Sequence, residues 1–210
     1  MAGTRQFDTD AAVDKAMNLF WERGYEATSL QDITKALGLG RGSIYQAFGS
    51  KEGLYRAALA QYLNLMAAEL VTALEQGPDL RSALKNALLG RLDAAIGGPL
   101  PRGCMLVNAA CERLPHDATT RQTVTDVMAA NRTALETALT RAVDLGQINP
   151  SFDPSSLAEF LVSCLSGLLV TAKVQPDRAA LTRTVDIALS VLGQPQHSSA
   201  TLGPQLQDPS

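Results

Sequence analysis

Between residues 28 and 51 the chain sets out side chains suited to hydrogen bonding with a nucleic acid rather than to making or breaking covalent bonds. Arg41, Ser43, Tyr45 and Gln46 fall within six residues of one another and can donate to base edges or phosphates. Gly42 among them lets a backbone approach a groove closely. Thr28 and Ser29 put hydroxyls where the free N–H groups of a helix begin, a ready anion site. Lys51 adds a cation at the start of another helix.

The remaining reactive residues do not converge on a catalytic centre. Of the two histidines, His197 lies in a polar C-terminal stretch and His116 stands alone after Pro115. No Gly-rich phosphate loop, HExxH, GxSxG or CxxC pattern is present, so an enzyme is not expected. Cys104, Cys111 and Cys164 are an odd set with no short pair spacing, which fits neither a disulfide framework nor a metal site. Cys104 and Cys111 are seven apart on one expected helix, about 10 Å along its axis, too far for a disulfide. The cysteines read as small apolar residues, with a thiol sensor as the alternative. No metal and no cofactor are expected.

The elements that must position these groups read as all-α. Ala and Leu dominate, apolar residues recur at helical spacing, and no alternating strand pattern is bounded by hairpin turns. Nine helices are expected: 10–23, capped by Asp8 or Thr9; a second from Thr28 or Ser29 to a stop at Gly38; 41–48; and a long fourth from Ser50 to the Gly77-Pro78 break. They continue as 79–96, 103–114, 118–145, 154–173 with Pro154 at its first position, and 177–192. Gly38-Leu39-Gly40 forms a tight turn, with positive φ open to both glycines. On the short third helix Ile44, Ala47 and Phe48 read as the core face. Residues 194–210 are polar and Pro-rich and are expected to be a disordered tail.

Helix, glycine turn and short helix is the layout of a helix-turn-helix. Phosphate-binding groups flank a small reading helix, the division of labour of a DNA binder. A helical interaction module that has lost DNA binding is the rival, and the intact Arg41, Tyr45 and Lys51 speak against it.

Residues 16–33, then Ala36-Leu37-Gly38, then Ser43-Ile44-Tyr45-Gln46-Ala47-Phe48, then Lys51-Glu52-Gly53-Leu54 together resemble the TetR family of bacterial transcriptional regulators. Gly49-Ser50 departs from the commoner Asn or Lys pair there, and Ser50 still caps well. The resemblance implies DNA contacts at Ser29 and Gln31, at Arg41, Gly42, Ser43, Tyr45 and Gln46, and a phosphate held by Lys51. Tyr45 is typically a backbone contact in such proteins, and Arg41 is the candidate for bidentate guanine reading. Residues 103–108 look like one subgroup of the family.

The resemblance further implies a DNA-binding head at 1–57 and a ligand-binding and dimerisation domain at 58–193. Expected pocket residues are Met66 on the fourth helix, Leu89 and Leu92 on the fifth, and Met105, Asn108 and Cys111 on the sixth. Met128 on the seventh and Phe160 and Cys164 on the eighth complete them. The expected effector is small and apolar or amphipathic. A homodimer through the two last helices, about 154–192, is expected from leucines such as Leu157, Leu161, Leu165, Leu168 and Leu169. It would bind a palindromic double-stranded operator as a repressor.

Charge alone points elsewhere. The 210 residues carry a net charge of −3, and the first 57 hold seven basic and seven acidic residues. Any DNA affinity must come from placement of a few cations, not from total charge. The N-terminal stretch lacks an apolar signal region, and the longest uncharged apolar-rich stretch, 160–172, has thirteen residues against the ~20 a bilayer needs. A cytoplasmic protein with no membrane partner is expected.

Overall fold

The computed structural model describes residues 7–149 and 151–193. Among them are nine α-helices and no strand: α1 (Thr9–Arg23), α2 (Leu30–Leu37), α3 (Arg41–Phe48), α4 (Lys51–Gln76), α5 (Leu80–Ile96), α6 (Met105–Arg113), α7 (Ala118–Asp144), α8 (Pro154–Val174) and α9 (Arg178–Ser190). The expected tail, 194–210, lies outside the described residues.

Short polar side chains set most of the starts. Asp8, Ser29, Ser50, Asp79, Asp117, Asp153 and Asp177 each accept from N–H groups of the turn they open. α3 starts without a side-chain cap, at Gly40. Gly40 has φ −70°, so only Gly38, at φ 68° and ψ 25°, takes the left-handed conformation in the α2–α3 turn. Gly53 serves a different need: a Cβ there would stand 2.0 Å from the Phe48 carbonyl oxygen. The α3–α4 corner is tight enough to exclude any side chain.

α1 lies along α4, and α2 and α3 close over them. Phe20, Ile33, Ile44, Leu54 and Tyr55 are fully buried there. The rings of Phe20 and Tyr55 meet edge to face at 5.1 Å, as do Tyr25 and Tyr55 at 5.0 Å. Ala47 is exposed, so the core side of α3 rests on Ile44 with Phe48 half-buried. An eight-residue helix cannot hold itself together in water. This packing fixes α2 and α3.

The second half is a bundle in which α7 and α8 lie together and α5 is flanked by α4, α8 and α9. Its interior is aliphatic: Leu92, Leu139, Leu157, Leu168, Leu181 and Leu189 are buried. Lys51–Leu74 and Pro154–Val174 are long and apolar enough to cross a membrane by length and composition, which the thirteen-residue uncharged stretch had not suggested. Both run through the bundle against other helices.

Candidate nucleic-acid interface and effector cavity

The α2–α3 surface carries the expected contact residues, with one exception. Ser29, Gln31, Arg41, Gly42, Tyr45 and Gln46 are exposed and Ser43 is half-exposed. Among the described residues, the side chains of Arg41, Tyr45 and Gln46 make no hydrogen bond or ion pair with the rest of the chain. Thr28 corrects the expectation: it is fully buried and its hydroxyl donates to the Gly24 carbonyl at 2.6 Å, so it ties α1 to α2.

The start of α2 is partly occupied from within. Ser29 Oγ accepts from the Asp32 N–H, and the Asp32 carboxylate accepts from the Ser29 N–H at 2.9 Å, a capping box closed by Asp. The Ser29 hydroxyl and N–H, with Arg23 at 3.0 Å, hold the Asp32 carboxyl below the usual range. The N–H groups of Leu30 and Gln31 have no partner among the described residues, so an anion can still be met there. Lys51 lies with its ammonium 4.1 Å from the centroid of the Tyr25 ring, and burial pushes its pKa down. It is half-buried rather than free.

Behind this surface α6 is fastened to α1 and its C-terminal turn. At one end the Trp21 indole N–H donates to the Gly103 carbonyl at 2.9 Å. Arg102 stacks over the same indole at 4.0 Å and donates to Asn18. At the other end Glu112 accepts from the Tyr25 N–H at 2.7 Å. Arg113, its side chain 9% exposed, lies 4.0 Å from the Tyr25 ring centroid and pairs with Glu26 at 3.1 Å. Glu52, at 3.5 Å, and Asp117, at 3.6 Å, complete its surroundings.

Asp117 is the pivot of that cluster. Burial pushes its carboxyl pKa up, but hydrogen bonds from the Thr120 hydroxyl and N–H and from Arg56 outweigh it and hold the group well below the usual carboxylate range. Of the partners of Arg113 only Asp117, four positions on, is local; Glu26 and Glu52 lie 87 and 61 positions away. Asp117 carries a signal, as an Asp opening a helical stretch.

A cavity of about 90 Å³ lies within the bundle. Leu84 and Leu88 of α5, Leu106 and Val107 of α6, and Leu135 of α7 form part of its wall. Leu161, Val162 and Leu165 of α8 form another side, and Arg91, Asn131, Ser166 and Cys104 are its polar members. Of the nine expected pocket residues only Met128 lines it. Leu92 and Met105 are buried in the core, and Met66 and Leu89 pack against that core. Asn108 accepts from Lys173 at 3.1 Å, while Cys111 and Phe160 face solvent and Cys164 is half-buried away from the wall. The helices were those expected, but on all of them except α7 other residues face the hollow. A wider hollow of about 520 Å³, bordered by Pro78, Asp79, Thr137 and Arg141, lies where α4 gives way to α5.

Comparison with known proteins decides the family. Residues 12–58 match the family described as bacterial regulatory proteins, tetR family. Residues 81–188 match the tetracyclin repressor-like C-terminal domain. The chain belongs to the TetR family. It is therefore a DNA-binding transcriptional regulator with an N-terminal helix-turn-helix, not an enzyme. It is 34% identical to the HTH-type transcriptional repressor ComR of Escherichia coli (strain K12), over 89% of this chain and 88% of that one. It is 32% identical to the HTH-type transcriptional regulator YezE of Bacillus subtilis (strain 168), over 91% of this chain and all of that one. Among solved structures, a cysteine-substituted TetR-family regulator CifR, complexed with 26-base-pair operator DNA, superposes with a TM-score of 0.80. Its identity is 33%, over 90% of this TetR-family chain and 98% of CifR.

Proposed function

We propose that this TetR-family protein is a repressor that releases a palindromic operator when a small molecule enters the α5–α8 cavity. The observation that carries the reading is the double duty of α6 and the turn before it. Cys104, Leu106 and Val107 line the cavity, while Gly103, Glu112 and Arg113 hold Trp21, Tyr25 and Glu26. An occupant that shifts α6 shifts its anchors on the DNA-binding head, residues 1–57, relative to the core, 58–193. The name of ComR as a repressor, and the operator complex of CifR, support repression at double-stranded DNA. A cytoplasmic site of action follows from that role.

Two reading heads require two copies. The leucines expected to form the seam are spent inside the protomer: Leu157, Leu161, Leu168 and Leu169 are buried. A different stripe faces outward on α8, namely Phe160, Ser163, Gly167, Val170 and Val174, with Ile187 on α9. Its apolar side chains at helical spacing, interrupted by small residues, support a homodimer across this face. Light scattering at micromolar concentration is expected to give twice the chain mass.

Fluorescence anisotropy with the DNA upstream of the gene tests the regulator reading. Binding should weaken steeply with salt, and Arg41→Ala should cost at least tenfold if Arg41 reads a guanine, each such pair being worth about 1–3 kcal/mol. Salt-insensitive binding, or none, would overturn it. A second reading rests on Cys104, which lies at the cavity wall with its sulfur 3.4 Å from the Tyr62 hydroxyl. There thiol modification takes the place of reversible binding. Operator release by peroxide or N-ethylmaleimide that Cys104→Ser abolishes would favour it; Cys111 and Cys164 lie off the wall.

A further inference from the structure

We propose that the effector of this cavity is a short-chain aliphatic monocarboxylate whose head group is held by Arg91. The inference deepens the reading of the cavity as the effector site and rests on it. Among the described residues, Arg91 is the one charged residue on a wall otherwise made mostly of Leu and Val, and no carboxylate shares that wall. One guanidinium N–H donates to the Met66 carbonyl at 3.0 Å. Arg91 forms no ion pair among the described residues, where Arg56, Arg113 and Arg178 all do. Its other nitrogens are not buried without a partner, so the half-buried guanidinium has donors to present to a ligand beside the apolar hollow. A carboxylate meets that fork with two parallel hydrogen bonds.

The rest of the wall sets the size and charge of the occupant. A single cation balances a monoanion, whereas a phosphate dianion would need further donors. Asn131, whose side chain has no hydrogen-bond partner among the described residues, and the Ser166 hydroxyl, which donates to the Val162 carbonyl, add polarity without charge. The cavity of about 90 Å³ is smaller than the ~150 Å³ hollow that admits benzene. It suits an unbranched acid no larger than benzene, of roughly four carbons. Each methylene that still fits should tighten binding by about fourfold, and the first that does not fit should reverse the trend.

Calorimetric titration of the full-length protein with butyrate, valerate and hexanoate, against butanol, pentanol and hexanol, tests the inference. The acids are expected to bind at least tenfold tighter than alcohols of equal length. Arg91→Gln should abolish that preference while leaving alcohol affinity within about twofold, and Arg91→Lys should keep part of it. Leu165→Trp, which fills the hollow, should abolish binding of both classes. Equal affinity for acids and alcohols, or an acid preference that survives in Arg91→Gln, would overturn the head-group assignment and leave the cavity reading intact. Binding of neither class, or binding of both indifferent to Leu165→Trp, would overturn the cavity reading and this inference with it. Circular dichroism of each variant separates loss of binding from loss of fold.

Discussion

Eight of the ten aromatic residues fall within the first 62 positions, and only Phe152 and Phe160 lie beyond. The two regions are held together in different ways. In the head, rings meet at fixed angles and cations sit on ring faces. Such contacts are directional, so α2 and α3 have one orientation available to them. In the bundle the buried residues are largely Leu and Ala, whose contacts depend on area and little on angle. That half can retain a hollow and adjust around it, which suits a sensor, while the head suits a reader of fixed geometry.

Four substitutions probe this contrast. Phe20→Ala removes the ring against Tyr55 and Tyr25 and is expected to cost about 3–5 kcal/mol, measured by urea unfolding. A cost below 1 kcal/mol would mean that the head is as forgiving as the bundle. Asp117→Asn is expected to cost about 2–4 kcal/mol, because Arg113 and Arg56 lose a charged partner while Glu52 remains to both. Its pH signature is distinct. The Asp117 pKa is depressed on folding, so its contribution is complete above the ordinary carboxylate range and fades as pH falls through the folded value. Stability curves of native protein and variant should therefore converge on acidification below about pH 4.

Lys51→Met should cost about 0.5–1 kcal/mol through loss of the Tyr25 contact. If Lys51 also holds a phosphate, it lowers the salt slope of operator binding by about one per head. An unchanged slope would confine Lys51 to its contact with the ring. Met128→Leu, on the cavity wall and 41% exposed, should change stability by less than about 0.5 kcal/mol. A large loss there would show that the bundle also depends on exact shape.

The same contrast governs what the sequence made legible. Helix starts were readable to within a residue or two because a cap and the N–H it satisfies lie within three positions of each other, as Ser50 and Gly53 do. The exposure of the polar residues on α2 and α3 was legible through the family resemblance and through their place on short helices. Thr28 was misplaced because a hydroxyl at a helix start can turn inward to a carbonyl as readily as outward. The cavity wall was hardly legible: eight of nine expected residues lie off it, because the rotation of a long apolar helix depends on its neighbours. Ala47 failed for the same reason on a smaller scale. The ion cluster around Arg113 joins Glu26 and Glu52, far apart in sequence, and only its Asp117 has a local signature.

Trp21 is the only tryptophan in the chain, and it lies where the DNA-binding head meets the turn before α6. Its indole N–H is bonded to the Gly103 carbonyl and its ring face is covered by Arg102. Both partners would move if α6 moved, and nothing else in the protein emits at its wavelength. The molecule thus carries an intrinsic optical gauge where its head meets α6, so any displacement of α6 can be followed in the unlabelled protein.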